Sequence, residues 1–150
     1  MYGITGEKNM AADLANDLND LLKGEISACE TYRQALEKVE DPKVRPILEI
    51  NHQCHSARVG KLKTEVTNTG GTPAQDSGVW GAFAKLMEGG AKIFGDKASI
   101  STLEEGEDKG LADYKQFVDK HGTASPAVAE LHSKQEASHA RCRDLKHSMA

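Results

Sequence analysis

Cysteine, proline and aromatic residues are all scarce in this 150-residue chain, which holds three Cys, four Pro, three Tyr, three Phe and one Trp. Cys29, Cys54 and Cys142 are odd in number, widely spaced and without a CxxC pair, so they read as free thiols rather than a disulfide framework. Cys29 and Cys142 fall on apolar stripes and are expected there as small hydrophobes. No apolar run approaches the roughly 20 residues that cross a bilayer, which excludes a membrane-spanning role. The N-terminal MYGITGEKNM also lacks the charged-then-apolar pattern of a signal peptide, so a cytoplasmic location is expected. Basic excess is missing as well. With 23 Asp and Glu against 19 Lys and Arg, and no basic stripe interleaved with aromatics, nucleic acid is not an expected partner. Neither a nucleophile–base pair nor a phosphate-binding glycine loop is present, so hydrolase and nucleotide-binding readings rank low.

What is present is helical periodicity. No segment alternates as a strand would, and the length suits one domain over residues 1–150, large enough to bury a core without staples. The pattern predicts a first helix from about Ala11 to Glu40, with Leu18, Leu22, Glu25, Cys29, Tyr32, Leu36 and Val39 on its inner stripe. Asp41-Pro42 ends it and starts the second helix, which carries Leu48, His52, His55, Val59, Leu62 and Val66 to about Val66. A breaker-rich stretch from Thr67 to Gly78 follows, then a short amphipathic crossover with Val79, Trp80, Phe83, Leu86, Met87 and Phe94. Trp80 and Phe83 are expected to pack onto the bundle. A third helix begins at Asp96 or Ser99, places Ile100, Leu103, Glu107, Leu111, Tyr114 and Val118 inward, and stops at His121-Gly122. The fourth starts at Ser125-Pro126 with Val128, Leu131, Gln135, Cys142, Leu145 and Met149 inward. Two helical hairpins joined by one long connection make an all-α, ferritin-like four-helix bundle with a short crossover helix between helices 2 and 3. The glycines inside helices, Gly24, Gly60, Gly106 and Gly110, each cost about 1 kcal/mol relative to Ala, so at least two should mark close helix approaches.

Each stripe is interrupted near mid-length by an ionisable residue: Glu25, His55, Glu107 and His139. At about 100° per residue the first three lie within about 20° of their stripe centres and His139 about 70° off. Counted from the hairpin turns, the partners within each hairpin agree in depth to about 3 Å at 1.5 Å per residue. Burying an unpaired carboxylate costs several kcal/mol, so Glu25 and Glu107 must be neutralised, paired or bound to a cation. One reading is a transition-metal site of Glu25, His55, Glu107 and His139, with Glu104 and His52 as further ligands; Glu and His together suit iron, zinc or manganese. The other reading is a buried hydrogen-bond network in which the two glutamates pair with the two histidines and no metal is held. Glu49-Ile-Asn-His52 and Glu136-Ala-Ser-His139 both have the Glu-x-x-His spacing of di-iron bundles. Glu49 and Glu136, however, lie about 120° or more from their stripe centres and are expected at the surface. Glu30 points away from the core, and His132 sits about seven residues nearer the turn than the site.

The segments GEISACETYRQALEKVEDP (Gly24 to Pro42), SGVWGAFAKLMEGGAKIFGDKA (Ser77 to Ala98) and EEGEDKGLADY (Glu104 to Tyr114), with His139 and Leu145, resemble the ferritin-like superfamily, and within it a rubrerythrin-related bacterial family of unknown function. The resemblance implies a ferritin-like bundle and di-iron chemistry with oxygen or peroxide. It supports Glu25 or Glu30 on the first helix, His52 or His55 on the second, Glu104 and Glu107 on the third, and His139 on the fourth. The second helix departs from the superfamily pattern, since His55 rather than the Glu of Glu49-x-x-His52 stands at matching depth. Nothing like a four-cysteine rubredoxin domain follows the bundle. The expected function is therefore a bundle binding one or two transition-metal ions, iron first, in iron or oxidant handling under stress. The alternative is a metal-free helical structural or interaction protein. A metal ion and a second copy of the chain are the partners this reading admits.

Overall fold

Proline placement and three glycines of positive φ, Gly70, Gly95 and Gly122, set the helix boundaries. The computed structural model describes residues 2–77 and 81–149, and the side chains of 9–77 and 95–149. Helix α1 spans Tyr2–Lys38, α2 Arg45–Asn68, α3 Gly81–His121 and α4 Pro126–Ser148, with a 3-10 turn at Gly122–Ala124 leading into α4. Among the described residues there is no strand, and no helix is long and apolar enough to cross a membrane. Val79 and Trp80, with their expected packing, lie outside the described residues, as does the side chain of Phe83.

Two boundaries differ from the sequence expectation. α1 starts at Tyr2 rather than near Ala11, and no proline interrupts the chain over that stretch. α2 starts at Arg45 rather than Pro42, because Asp41 organises a turn of its own. The Lys43 amide donates to Asp41 Oδ1 at 2.9 Å, and the Val44 and Arg45 amides donate to the Asp41 carbonyl at 3.0 and 3.2 Å. Pro46 then occupies the first turn of α2, where its missing N–H costs nothing. Arg45 Nη1 donates to the carbonyls of Leu36 and Val39, satisfying acceptors left over at the C-terminus of α1.

Gly95 has φ 80° and ψ −158°, and it breaks α3 into a crossover piece and the long helix from Asp96. Asp96 fixes the crossover to the opposite hairpin: its two carboxylate oxygens accept the backbone amides of Glu40 and Asp41 at 3.3 and 3.1 Å. The strand-free strap after α2 lies along α1. Asn19 donates to the Thr72 carbonyl at 2.9 Å and accepts from the Ala74 amide at 2.8 Å, and Ser77 donates to Glu30 at 3.3 Å.

α1 packs on α2 and α3, and α4 packs on α3 and α2, which leaves α1 facing α4 and α2 facing α3 across the diagonals. The core divides into two apolar layers. One gathers Tyr32, Ala35, Val39, Val44, Leu48, Ile100, Leu103, Cys142 and Leu145 near the α1–α2 turn. The other gathers Leu18, Leu21, Leu22, Leu62, Val66, Tyr114, Phe117, Val128 and Leu131 near the α3–α4 turn. Burial and the nearby Glu107 push the Cys142 thiol up to about 12, so it serves as a small hydrophobe. All three cysteines are free.

Candidate functional site

Between the two apolar layers lies a polar one, built from every helix. Glu25 comes from α1, Asn51, His55 and Arg58 from α2, Glu107 from α3, and Gln135 and Ser138 from α4; all seven are buried. Tyr32 and Tyr114 close the layer above and below, each seven residues after the glutamate of its own helix and therefore on the same face two turns on.

His55 is the hub. Its Nδ1 lies 2.9 Å from Glu25 Oε2 and its Nε2 lies 2.7 Å from Glu107 Oε1, so the imidazole bridges the two carboxylates. Arg58 spans the α1–α4 diagonal. Its Nε donates to Glu25 Oε2 at 2.9 Å, and its Nη2 donates to Gln135 Oε1 at 3.0 Å and Ser138 Oγ at 3.2 Å. The same Nη2 stands 2.6 Å from His55 Nδ1 and 3.2 Å from Nε2, so the guanidinium lies over the face of the imidazole. Both ring nitrogens therefore face a carboxylate, and the imidazole donates to Glu25 from Nδ1 and to Glu107 from Nε2 when it carries both protons. With both protons present, two anions face two cations and the layer is neutral.

The remaining carboxylate oxygens are taken. Tyr114 OH donates to Glu25 Oε1 at 3.2 Å and Tyr32 OH to Glu107 Oε1 at 2.7 Å, a crossed arrangement in which each tyrosine serves the glutamate of the other helix. Gln135 Nε2 donates to both the carbonyl and Oε2 of Glu107 at 2.9 Å, and Ser138 Oγ donates to Oε2 at 2.8 Å. Asn51 links Tyr32 OH to the Ser138 carbonyl and takes a hydrogen bond from Arg141. Tyr32 also stacks on His55 with ring centroids 5.2 Å apart. Gly110 makes room for Gln135, since a Cβ there would stand 2.8 Å from its Nε2. Gly24 and Gly106 line the small cavity between α1 and α3 beside Glu25 and Glu107, whereas nothing approaches Gly60.

Electrostatics follow from this packing. Burial alone would raise Glu25 and Glu107, but His55 holds both below the ordinary carboxylate value, with Arg58 helping at Glu25 and Tyr32 and Ser138 at Glu107. Burial would lower His55, but Glu25 and Glu107 together hold it above its ordinary value. Burial pushes both tyrosines well up, and the glutamate each one serves adds to the effect.

The structure brings Glu25, His55 and Glu107 together and leaves the other three sequence-predicted residues outside. His139 Nε2 pairs with the exposed Asp108, because α4 turns Leu131, Gln135, Ser138 and Cys142 inward and so places residue 139 one step to the side. Glu104 pairs with Lys146 Nζ at 3.1 Å. His52 lines an outer groove between α1 and α2 with Cys29, Glu30 and Ser56, because the inner line of α2 runs through Leu48, Asn51, His55, Arg58 and Leu62. Sequence reasoning missed Arg58, Gln135 and Ser138 as partners. The available signal was spacing: Arg58 is three residues after His55, and Ser138 three after Gln135, so each pair shares one side of its helix.

The three converging donors meet as a chain rather than around a point. Glu25 and Glu107 sit on different nitrogens of the His55 ring, so an ion on either nitrogen adjoins one carboxylate only. Among the described residues no group of three or more His, Cys, Asp or Glu side chains is arranged as a ligand set. A di-iron bundle takes one Glu from each of two helices and a Glu-x-x-His from each of the other two. α1 and α3 supply the single glutamates, but the inward pairs of α2 and α4 are His55-x-x-Arg58 and Gln135-x-x-Ser138. Two carboxylates are missing and a guanidinium stands among the donors, so these residues do not fit a di-iron centre.

A family model described as a domain of unknown function (DUF2383) matches residues 13–120. No curated protein matches the chain. Among solved structures the chain is similar to a ferritin-like, diiron-carboxylate protein from Bacillus anthracis str. Ames, at 18% sequence identity and a TM-score of 0.60 over 92% of this chain and 93% of that one. At that identity the likeness carries the fold, a ferritin-like helical bundle.

Proposed function

The chain belongs to the DUF2383 family, and from that premise we propose that it is a metal-independent member of the ferritin-like fold, a helical structural or interaction protein whose buried centre neutralises itself. One observation carries this reading. Arg58 places a permanent cation in the middle of the donor set, against Glu25, Gln135 and Ser138. Guanidinium does not deprotonate in proteins, so a metal ion there would meet a fixed like charge. Each oxygen of both carboxylates also accepts from at least one protein donor. The decisive measurement is metal analysis of protein expressed in iron-supplemented medium and purified without chelator, followed by titration with Fe2+, Zn2+ and Mn2+. Less than a tenth of an equivalent bound, on the order of the background for surface carboxylates, is expected, with no change in melting temperature. One or two tightly held equivalents that raise the melting temperature would overturn the reading.

The second reading is supported by the meeting of Glu25, His55 and Glu107 from three helices. It makes the bundle a rubrerythrin-related holder of one or two transition-metal ions, iron first and zinc or manganese as alternatives, in oxidant or iron handling. It requires Arg58 to swing out of a position where it is 1% exposed. The same titration separates the two.

A further inference from the structure

Arg58 has one end that the polar layer does not use. A guanidinium carries five N–H groups. Nε donates to Glu25, and Nη2 donates to Gln135 and Ser138. Nη1 points elsewhere: among the described residues its contact is the Cys54 sulfur at 3.6 Å, one turn earlier on α2. A thiol sulfur is a weak acceptor, so the N–H groups of Nη1 have no oxygen partner there, although Arg58 is only 1% exposed. Buried donors are ordinarily satisfied, and one that is not calls for an explanation. Cys54 itself is half-buried and stands between this unmet donor and solvent. The other two thiols have the opposite surroundings. Cys29 meets Ser56 Oγ at 3.5 Å, and burial, with Glu25 and Glu30 adding to it, holds its thiol above the ordinary value. Cys142 is sealed in an apolar layer with Glu107 nearby.

Going beyond the metal-independent reading, and sharing with it only the placement of Arg58, we propose that Cys54 is a thiol-oxidation site for peroxides and that Arg58 Nη1 receives the oxygen of its sulfenic acid. The sulfur attacks one peroxide oxygen as the thiolate, the S–O bond forms as the O–O bond breaks, and sulfur gives up two electrons. The hydroxide that leaves takes up the thiol proton and becomes water. Nη1 gains an oxygen acceptor only as the S–O bond forms, so its N–H groups favour the oxidised state over the thiol. Arg58 acts here as a positioning residue. The reaction stops at a form that thiols reduce, because sulfenic acid is the reversible rung of cysteine oxidation.

The test treats the full chain with hydrogen peroxide in a buffer containing chelator, traps sulfenic acid with dimedone and resolves the three cysteines by peptide mass spectrometry. In the wild type, Cys54 is expected to label at least about 10-fold faster than Cys29, with Cys142 unlabelled. Dithiothreitol added before dimedone should remove the label. In concentrated urea, where the surroundings are lost, the three thiols should label at similar rates. Arg58→Gln should bring Cys54 down to the rate of Cys29, and Arg58→Lys should restore part of the difference, each variant being checked for native helical circular dichroism. If neither variant folds, the wild-type ratio and its collapse in urea decide. Equal labelling of Cys29 and Cys54 in the folded wild type, no label at Cys54, or a folded Arg58→Gln that labels as the wild type does overturns the proposal. Stoichiometric Fe2+ uptake by the same wild-type protein without chelator overturns the metal-independent reading whatever the labelling, so the two failures are distinguishable.

Discussion

α2 and α4 each carry two polar pairs at i,i+3 spacing, one facing the bundle axis and one facing out. The outer pairs, Glu49–His52 and Glu136–His139, have the residue types of a di-iron motif. The inner pairs, His55–Arg58 and Gln135–Ser138, have its position. Glu49 is exposed, and Glu136 is 61% exposed and reaches only His132 at 3.6 Å. The inner residues are buried and joined to one another across all four helices. Motif chemistry counts only where rotation brings it inward, and here a step of one residue on each helix separates the motif from the axis.

The sharpest way to break the inner layer is Glu107→Ala. The substitution leaves Arg58 and His55 with one carboxylate between them and strands the donors of Tyr32, Gln135 and Ser138. A loss of about 3–5 kcal/mol in urea unfolding is expected, as for other buried pairs that lose one partner. A loss under about 1 kcal/mol, typical of a surface carboxylate, would mean the layer is not the organised network described.

pH sharpens the contrast next, because burial and buried partners displace the titrations of the inner layer. His55 is held above its ordinary value of 6.5, so its contribution is complete below the unfolded value and is lost as pH rises through the higher folded one. Glu25 and Glu107 are held below their ordinary value of 4.5, so their contribution is present above that value and is lost as pH falls through the lower folded ones. Stability should therefore plateau between about pH 4.5 and 6.5 and decline on the alkaline side as His55 loses its second proton. Unfolding midpoints across this range check the shape, and His55→Gln should remove the alkaline decline. An unchanged alkaline limb in that variant would assign it elsewhere.

Much of this was legible beforehand. Helix number, the Ser125-Pro126 start, the crossover and the burial of Glu25, His55 and Glu107 all follow from apolar spacing, which integrates over many residues and tolerates local error. The identity of the cation did not follow. Arginine on a helix is ordinarily solvated, so periodicity places Arg58 outside and rotates the stripe of α2 toward His52 and Val59, although Asn51 and Arg58 mark the true inner line. Ser138 was passed over for the same reason, since a small hydroxyl adds little to an apolar stripe and His139 beside it is the more suggestive residue. Polar layers are set by partner against partner, and that information is absent from any one helix.

Two glycines extend the comparison at smaller scale. Gly110→Ala puts a Cβ 2.8 Å from Gln135 Nε2, whose hydrogen bonds to Glu107 hold it in place. Gly60→Ala meets nothing within 4 Å on the exposed side of α2. Relative to wild type, a net loss of about 1 kcal/mol is expected at residue 110 and a gain of up to about 1 kcal/mol at residue 60, where only helix propensity changes. Stabilisation by both in thermal melts would show that Gln135 is free to move.

The smallest effect belongs to the outer pairs, and it tests whether the visible Glu-x-x-His motifs carry anything at all. Glu136→Ala removes a carboxylate whose distance to His132 is long for a hydrogen bond, and Glu49→Ala removes one on an open helix face. Exposed pairs of this kind contribute about 0–1 kcal/mol and are screened by salt, so each variant should stay within about 0.5 kcal/mol of wild type in urea unfolding. The double variant should be additive, because the two residues lie on separate helices and share no partner. Its metal content should also match the parent protein. A double variant that loses bound iron, or that falls by more than the sum of its parts, would return these residues to the centre of the molecule's chemistry and move the inner layer to a supporting role. Additive, near-zero changes leave the inner layer, with the Arg58 guanidinium at the axis, as the polar network that organises the bundle.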